Sequence, residues 1–126
     1  MVKTKLVNVL GESYQVNFPN MGKLQDIEAF KIAYTNGKYI DMALSGLKMH
    51  EFMLDVTDAV SYFSVLIPDL KKNLEIKNWR DLDTETAKKL VKAYKSEFLP
   101  WFKPLVDDLC KYDVEDSEDV SEQNQG

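Results

Sequence analysis

The run that decides the fold is MHEFMLDVTDAVSYFSVLI, residues 49–67. Its apolar residues recur at i, i+3, i+4 and i+7, which is the spacing of one face of an α-helix. That face comprises Met49, Phe52, Met53, Val56, Ala59, Val60, Phe63 and Ile67. Three further apolar residues lie off it, namely Leu54, Tyr62 and Val65, as in a helix covered by neighbours on both sides. We therefore predict a central, most buried helix from Met49 to Leu66, closed by Pro68.

The residues before this helix predict a β-hairpin over residues 4–18. Apolar side chains alternate with polar ones at Tyr14, Val16 and Phe18, the period of a half-buried strand. A first strand at 5–10 is apolar on both faces, so its buried side stays ambiguous. The turn is predicted at residues 11–13, where Gly11 begins a small polar segment.

Residues 22–112 predict a helical bundle. Asn20 is expected to cap a helix at about 22–35, with Lys31 on its solvent-exposed side. A short helix at 38–45 follows and ends at Gly46, since glycine accepts the left-handed conformation that ends helices.

The C-terminal part of the bundle carries proline signals. Asp83 or Thr84 is expected to cap a helix that runs from about 85 to 98. Pro100 and Pro104 then predict a break or kink, because each lacks an amide donor and crowds the preceding turn.

Together these elements predict an α+β fold, predominantly α, with the hairpin packed on four or five helices. Residues 1–112 are expected to form a single globular domain, which is ordinary for a chain of 126 residues. A lone cysteine, Cys110, excludes an intrachain disulfide. No apolar run is long enough to span a membrane or resembles a signal segment, so we expect a cytoplasmic protein without membrane contacts.

Negative charge is concentrated in the last fourteen residues. The chain has 21 acids and 16 bases, and the segment 113–126 contains no base. Its six acids are Asp113, Glu115, Asp116, Glu118, Asp119 and Glu122. Such a composition predicts a disordered tail that maintains solubility or occupies a basic surface. A ridge of lysines on the helix predicted at 85–98 suits that tail or an acidic partner: Lys88, Lys89, Lys92 and Lys95.

The sequence offers little catalytic equipment. His50 is the only histidine, and Leu54 stands where a zinc-protease helix would need a second one. Asp55 and Asp58 lie one turn apart and match the carboxylates of a divalent-cation site, although an exposed ridge is the favoured interpretation. There is no phosphate-binding loop, serine elbow or dinucleotide fingerprint. We predict that the chain is not an enzyme and has no catalytic residue, metal or cofactor.

The aromatic segment FLPWF, residues 98–102, has two interpretations. Bulky residues beside a helix break fill a core, which is the favoured interpretation, and they also serve as exposed anchors at protein interfaces. The second interpretation gives a set of candidate partner-binding residues: Phe98, Trp101, Phe102, Leu105 and Leu109.

The layout of the chain resembles a known family. The predicted hairpin KLVNVLGESYQVNF, residues 5–18, precedes a helix containing Asp26, Ile27 and Glu28, then a helical body and a charged tail. This arrangement resembles the small tail assembly chaperones of long-tailed bacteriophages. The resemblance implies a protein without enzymatic activity that coats the tape-measure protein and recruits tail-tube subunits in the host cytoplasm.

Three functional hypotheses follow. The leading one is a non-catalytic protein–protein interaction or assembly protein with a protein partner, such as a phage tail component, and with possible self-association into a homo-oligomer. The first alternative is an acidic decoy or regulator of a nucleic-acid-binding protein, with the tail imitating phosphates. The second is a small metal-dependent enzyme that uses Asp55 and Asp58. The acidic composition argues against direct nucleic-acid binding.

Overall fold

The computed structural model describes residues 3–112, and the predicted acidic tail at 113–126 lies outside them. Two antiparallel strands, β1 (Thr4–Val9) and β2 (Glu12–Asn17), form the hairpin. The helical elements follow in chain order: α1 (Met21–Tyr34), α2 (Tyr39–Ser45), α3 (Lys48–Leu66), α4 (Asp69–Asn73), a 3-10 turn (Trp79–Asp81), α5 (Thr84–Ala93), a π-helical turn (Tyr94–Phe98) and α6 (Leu99–Leu109). The predicted α+β, mainly helical fold is confirmed.

The hairpin turn is shorter than predicted. Its two central residues are Leu10 and Gly11, because Val9 pairs directly with Glu12. Both have positive φ, 53° and 85°, the pattern of a type I′ turn whose twist matches that of paired strands. The turn therefore begins one residue earlier than the predicted 11–13 and ends two residues earlier, because Glu12 and Ser13 belong to β2. The sequence pointed to the glycine, but gave no sign that Leu10 would share its left-handed conformation.

The structure settles which face of β1 is buried. Val7 and Val9 are fully buried together with Val16 of β2, whereas Leu6 points to solvent. The buried side packs on α5 and the π-helical turn. The backbone amide of Asn8 also donates to the Glu97 carboxylate at 3.3 Å. The hairpin is thus attached to the C-terminal helices rather than to α1, which follows it in sequence.

α3 is the central helix, as predicted. It contributes six buried residues, more than any other described element: Val56, Thr57, Ala59, Val60, Ser61 and Phe63. α1, α2, α4 and α5 all pack against it. The predicted apolar face is not buried throughout, however, because Met49 and Met53 near its N-terminus remain 61% and 45% exposed.

Of the predicted break or kink at the prolines, the break was wrong and the kink stays a prediction. Residues 84–109 form one continuous helical rod in which α5 passes through the π-helical turn into α6. The amide of Leu99 bonds the carbonyl of Tyr94, five residues back, which widens the helix just before Pro100. A widened turn of this kind can accommodate a proline ring that would crowd a carbonyl of the preceding turn in a regular helix. Pro104 lies inside α6.

The helix caps follow the sequence closely. The Asn20 side chain accepts a hydrogen bond from the Lys23 amide at 2.9 Å and begins α1. The Asp83 side chain, rather than Thr84, caps α5 by accepting from the Thr86 amide. Gly46 ends α2 with φ of 72°. These three signals are local, and each satisfies backbone groups that a helix end leaves without partners.

Candidate functional site

An open cleft of about 490 Å³ lies beside the N-terminal part of α3. Six apolar side chains line it: Met42, Phe52, Met53, Val56, Leu82 and Ala87. The short helix α2, of seven residues, flanks the cleft through Met42, and α5 flanks it through Thr84 and Ala87, so Met53 of α3 stays exposed between them. We call this feature the apolar cleft. It extends the hydrophobic core to the surface.

Two cations stand at the apolar cleft, Lys38 and Arg80, and no aspartate or glutamate is among the described residues that line it. Arg80 is held by α1, since its guanidinium donates to the Tyr34 carbonyl at 2.7 Å and lies 5.9 Å from the centre of the Tyr34 ring. Within residues 3–112, Lys38 has no acidic side chain within salt-bridge distance. The cleft therefore combines an apolar floor with positive charge.

A second cavity, of about 310 Å³, adjoins the first along a common wall formed by Tyr34 and Arg80. Phe30 and Trp79 contribute its aromatic surface, and the Phe30 and Tyr34 rings stack with centres 5.5 Å apart. It also contains two lysines and no described carboxylate: Lys71 and Lys77. We call it the cationic groove. Together the two cavities form a track lined by four cations: Lys38, Lys71, Lys77 and Arg80.

A partly buried polar cluster lies where α2 meets α1 and α3. Lys31 was predicted to face solvent, but it is only 8% exposed. Its ammonium group lies 2.8 Å from a Glu28 carboxylate oxygen and 3.4 Å from the Tyr62 hydroxyl. It also lies over the rings of Tyr62 and Tyr39, at 4.9 and 5.8 Å from their centres. The prediction was wrong because these aromatic faces let a cation be buried where helical periodicity alone places it in water.

One short hydrogen bond of this cluster joins α2 to α3. The Tyr39 hydroxyl donates to an Asp58 carboxylate oxygen at 2.6 Å. α2 has no fully buried residue of its own, and its C-terminal end meets α3 through Ser45 and the His50 ring at 2.6 Å. Side-chain hydrogen bonds therefore contribute much of what holds this helix beside the cleft.

Burial affects the pKa values of two groups in the cluster, Asp58 and Lys31. It raises the pKa of the Asp58 carboxyl above its ordinary value, although the Tyr39 hydrogen bond and the Lys31 charge oppose the shift. Burial acts to lower the pKa of Lys31. The hydrogen bond to Glu28 and the fields of Tyr62, Asp58 and Glu28 outweigh it, so the Lys31 pKa is raised. Lys31 consequently stays charged at neutral pH.

Tyr39→Phe is expected to lower the free energy of unfolding by about 1–3 kcal/mol at neutral pH, because a half-buried carboxylate loses its donor. The same change should raise the pKa of Asp58 further, since the lost hydrogen bond favoured the charged form. The stability loss should therefore be complete above the raised Asp58 pKa and shrink below it, where the carboxyl is protonated. Urea unfolding at several pH values and an NMR titration of the Asp58 carboxyl carbon measure both effects.

Tyr112→Phe supplies the matched control for this prediction, because Tyr112 is 77% exposed at the end of the described chain. It should leave both the unfolding free energy and the Asp58 titration unchanged. An equal loss of stability at every pH in Tyr39→Phe would contradict the assigned role of the carboxylate.

The structure divides the predicted partner-binding residues. Phe98, Phe102 and Leu105 are buried in the core, Trp101 is half-buried, and Leu109 is 52% exposed. The Phe98 and Phe102 rings stack 4.8 Å apart. The core interpretation of this segment is thus confirmed for both rings, and a surface role stays a prediction for Trp101 and Leu109. Helical spacing places all five positions on one face of the continuous rod, so periodicity alone does not separate the three buried residues from Trp101 and Leu109.

The acidic and basic residues of the other hypotheses are placed as follows. Asp55 forms an ion pair with Lys95 at 2.9 Å, and Asp58 accepts from Tyr39. From residue 3 to residue 112, no group of three His, Cys, Asp or Glu side chains is placed to hold a metal ion. Cys110 is exposed at the end of α6. The six tail acids lie outside the described residues.

Comparisons with protein-family models, with curated proteins and with solved structures each found no match for this chain. In the part of the chain that the structure describes, none of the helices combines the length and the apolar character needed to cross a membrane. The functional argument therefore rests on the site itself.

Proposed function

We propose that this chain is a non-catalytic interaction protein that acts in assembly by holding a segment of a partner protein in the apolar cleft. The observation that carries the proposal is the uncovered part of α3. Phe52 and Met53 belong to the core-forming face of that helix, yet they line an open cavity. An apolar surface of this kind, edged by charge, is typical of an interaction site.

The residue types of the apolar cleft support a protein partner. Met42 and Met53 have flexible, polarisable side chains, which adapt to the shape of a bound chain. α2 presents a second exposed apolar pair on its outer side, Ile40 and Leu44, at 60% and 81% exposure. That pair suits a contact between copies of this chain, as an assembly protein would need.

The finer form of the proposal is a tail assembly chaperone of a long-tailed phage. It is supported by the order of a short hairpin, a compact helical body and an acidic tail. In that case the held segment belongs to the tape-measure protein, and the chain acts in the host cytoplasm.

Site-specific photo-crosslinking tests the proposal. A benzophenone amino acid replaces Met53 in the full chain, which is then produced in cells that make its natural partner. The same replacement at Lys88, on the exposed side of α5, is the matched control. We expect one defined protein to be captured from position 53 and not from position 88. Identical capture at both positions, or no capture at position 53, would contradict the proposal.

A further inference from the structure

We propose that the held segment is an amphipathic helix whose apolar ridge packs on the uncovered face of α3 and whose acidic side chains pair with Lys38, Arg80 and Lys77. This inference rests on the proposed function and adds the chemistry of the partner. It is carried by the shape of the apolar cleft and by the charges along the adjoining cationic groove.

The face of α3 that lines the apolar cleft is suited to packing against a further helix. Elsewhere α3 is covered by helices, and its face at Phe52, Met53 and Val56 continues the same spacing into the cavity. Side chains at this spacing form ridges that fit the grooves of a second helix. A helix laid in the cleft would cover Phe52 and Met53, which are half-buried and exposed, and would pack beside Val56, which the fold already buries. Other amphipathic helices fill apolar grooves in this way.

The cations that line the two cavities indicate that the partner helix is acidic. Four cations line the two cavities, and no described aspartate or glutamate does. Lys38, Lys71 and Lys77 have no acidic side chain within salt-bridge distance in residues 3–112, so their ammonium groups are available to a partner in that region. Arg80 donates one N–H to the Tyr34 carbonyl and keeps further donors for a carboxylate. A helix with glutamates beside its apolar ridge matches this track.

The chain's own tail matches only half of these features. Its fourteen residues contain six acids but only two apolar side chains, Val114 and Val120. It can satisfy the lysines of the cationic groove, but it has no ridge for Phe52 and Met53. Nucleic acid has the same deficiency, since phosphates would find the cations and leave the apolar floor uncovered. Both remain as outcomes that the test distinguishes.

The test uses a synthetic peptide of about 18 residues, or five helical turns. It carries leucines along one ridge and glutamates on both flanks, and its binding to the full chain is followed by fluorescence anisotropy. A second peptide has glutamine at every glutamate position. We expect the glutamate peptide to bind at least about tenfold more tightly at low salt, where surface charges are least screened.

Charge-reversal variants test whether the preference for the glutamate peptide arises at the two cavities. The double variant Lys38→Glu, Lys77→Glu should abolish the preference for the glutamate peptide, whereas Lys88→Glu on the outer side of α5 should preserve it. Neither the Lys38 nor the Lys77 side chain forms an ion pair within residues 3–112, so the fold should tolerate both changes, as circular dichroism can verify. A preference that survives the double variant would overturn the proposal.

Further outcomes separate this inference from the proposed function. Equal binding of the two peptides would overturn the acidic partner while leaving a segment-binding cleft intact. If the glutamate peptide did not bind, the inference that the partner segment is an acidic helix would be wrong. Capture at position 53 would still support the proposed function. Displacement of the peptide by a single-stranded oligonucleotide would also overturn the inference of an acidic helical partner.

The tail is tested in the full chain by replacing its six acids with asparagine and glutamine. Unchanged affinity for the glutamate peptide supports an outside partner. A gain of more than about tenfold, or 1.4 kcal/mol, would make the tail the occupant and would overturn the proposal.

Discussion

Phe98→Ala is expected to lower the free energy of unfolding by about 3–5 kcal/mol, a large share of the stability of a domain of this size. Phe98 is fully buried and lies where three elements meet. Its ring centre is 5.4 Å from that of Tyr62, 5.9 Å from that of Phe63 and 4.8 Å from that of Phe102. The truncation leaves a cavity that neither α3 nor the helical rod can close, and urea unfolding measures the loss.

Leu109→Ala is the matched control for Phe98→Ala. Both residues were candidates for partner binding, but Leu109 is 52% exposed near the end of α6. Its truncation should change the unfolding free energy by about 0.5 kcal/mol or less, as is usual for surface positions. Similar losses in the two variants would contradict the division of this segment into core and surface.

Met53→Glu is expected to weaken binding of the glutamate probe peptide by at least about 30-fold, the effect of a change of 2 kcal/mol at an interface hot spot. The substitution places a carboxylate on the apolar floor of the cleft, where a bound helix would remove it from water. The fold should be nearly unaffected, because Met53 is 45% exposed and glutamate is a strong helix former. We expect the unfolding free energy to fall by about 1 kcal/mol at most.

Leu44→Glu makes the same chemical change outside the cleft. Leu44 is 81% exposed on α2 and is absent from the lining of both cavities. This variant should bind the probe peptide like the unmodified chain. If Leu44→Glu weakened binding as strongly as Met53→Glu, the interaction surface would lie on the outer side of α2 instead.

The sequence predicted the elements well because their signals are local. The spacing of apolar residues in 49–67 identified α3, and Asn20 and Gly46 marked helix ends through their own backbone and side-chain chemistry. The alternation from Tyr14 to Phe18 identified β2. Each of these patterns can be read without knowing what the segment packs against.

The apolar cleft was not predictable in the same way. The periodic face of α3 includes Met53 and Val56 alike, and nothing in that pattern distinguishes the covered residue from the open one. The distinction depends on where α2 and α5 end in space relative to α3. The only sequence signal was indirect, since a helix of seven residues cannot cover one of nineteen.

Lys31 and Pro100 show two other limits. A lysine inside an amphipathic helix is normally placed in water, and its burial here depends on Tyr39 and Tyr62 from two other helices. Pro100 normally breaks a helix, and the π-helical turn that accommodates it has no recognised sequence pattern. For Lys31 the deciding partners are distant in the chain, and for Pro100 the adjacent π-helical turn gives no recognised signal in the sequence.

The central claim is that partners bind at the apolar cleft, and methionine methyl NMR tests it most directly. Met42 and Met53 line the cleft, whereas Met21 is exposed at the start of α1 and lines neither cavity. The full chain, labelled at its methionine methyl groups, is titrated with the glutamate probe peptide. The account predicts that the Met42 and Met53 signals shift while the Met21 signal stays in place. A titration in which the peptide binds but leaves the Met42 and Met53 signals unmoved would contradict it.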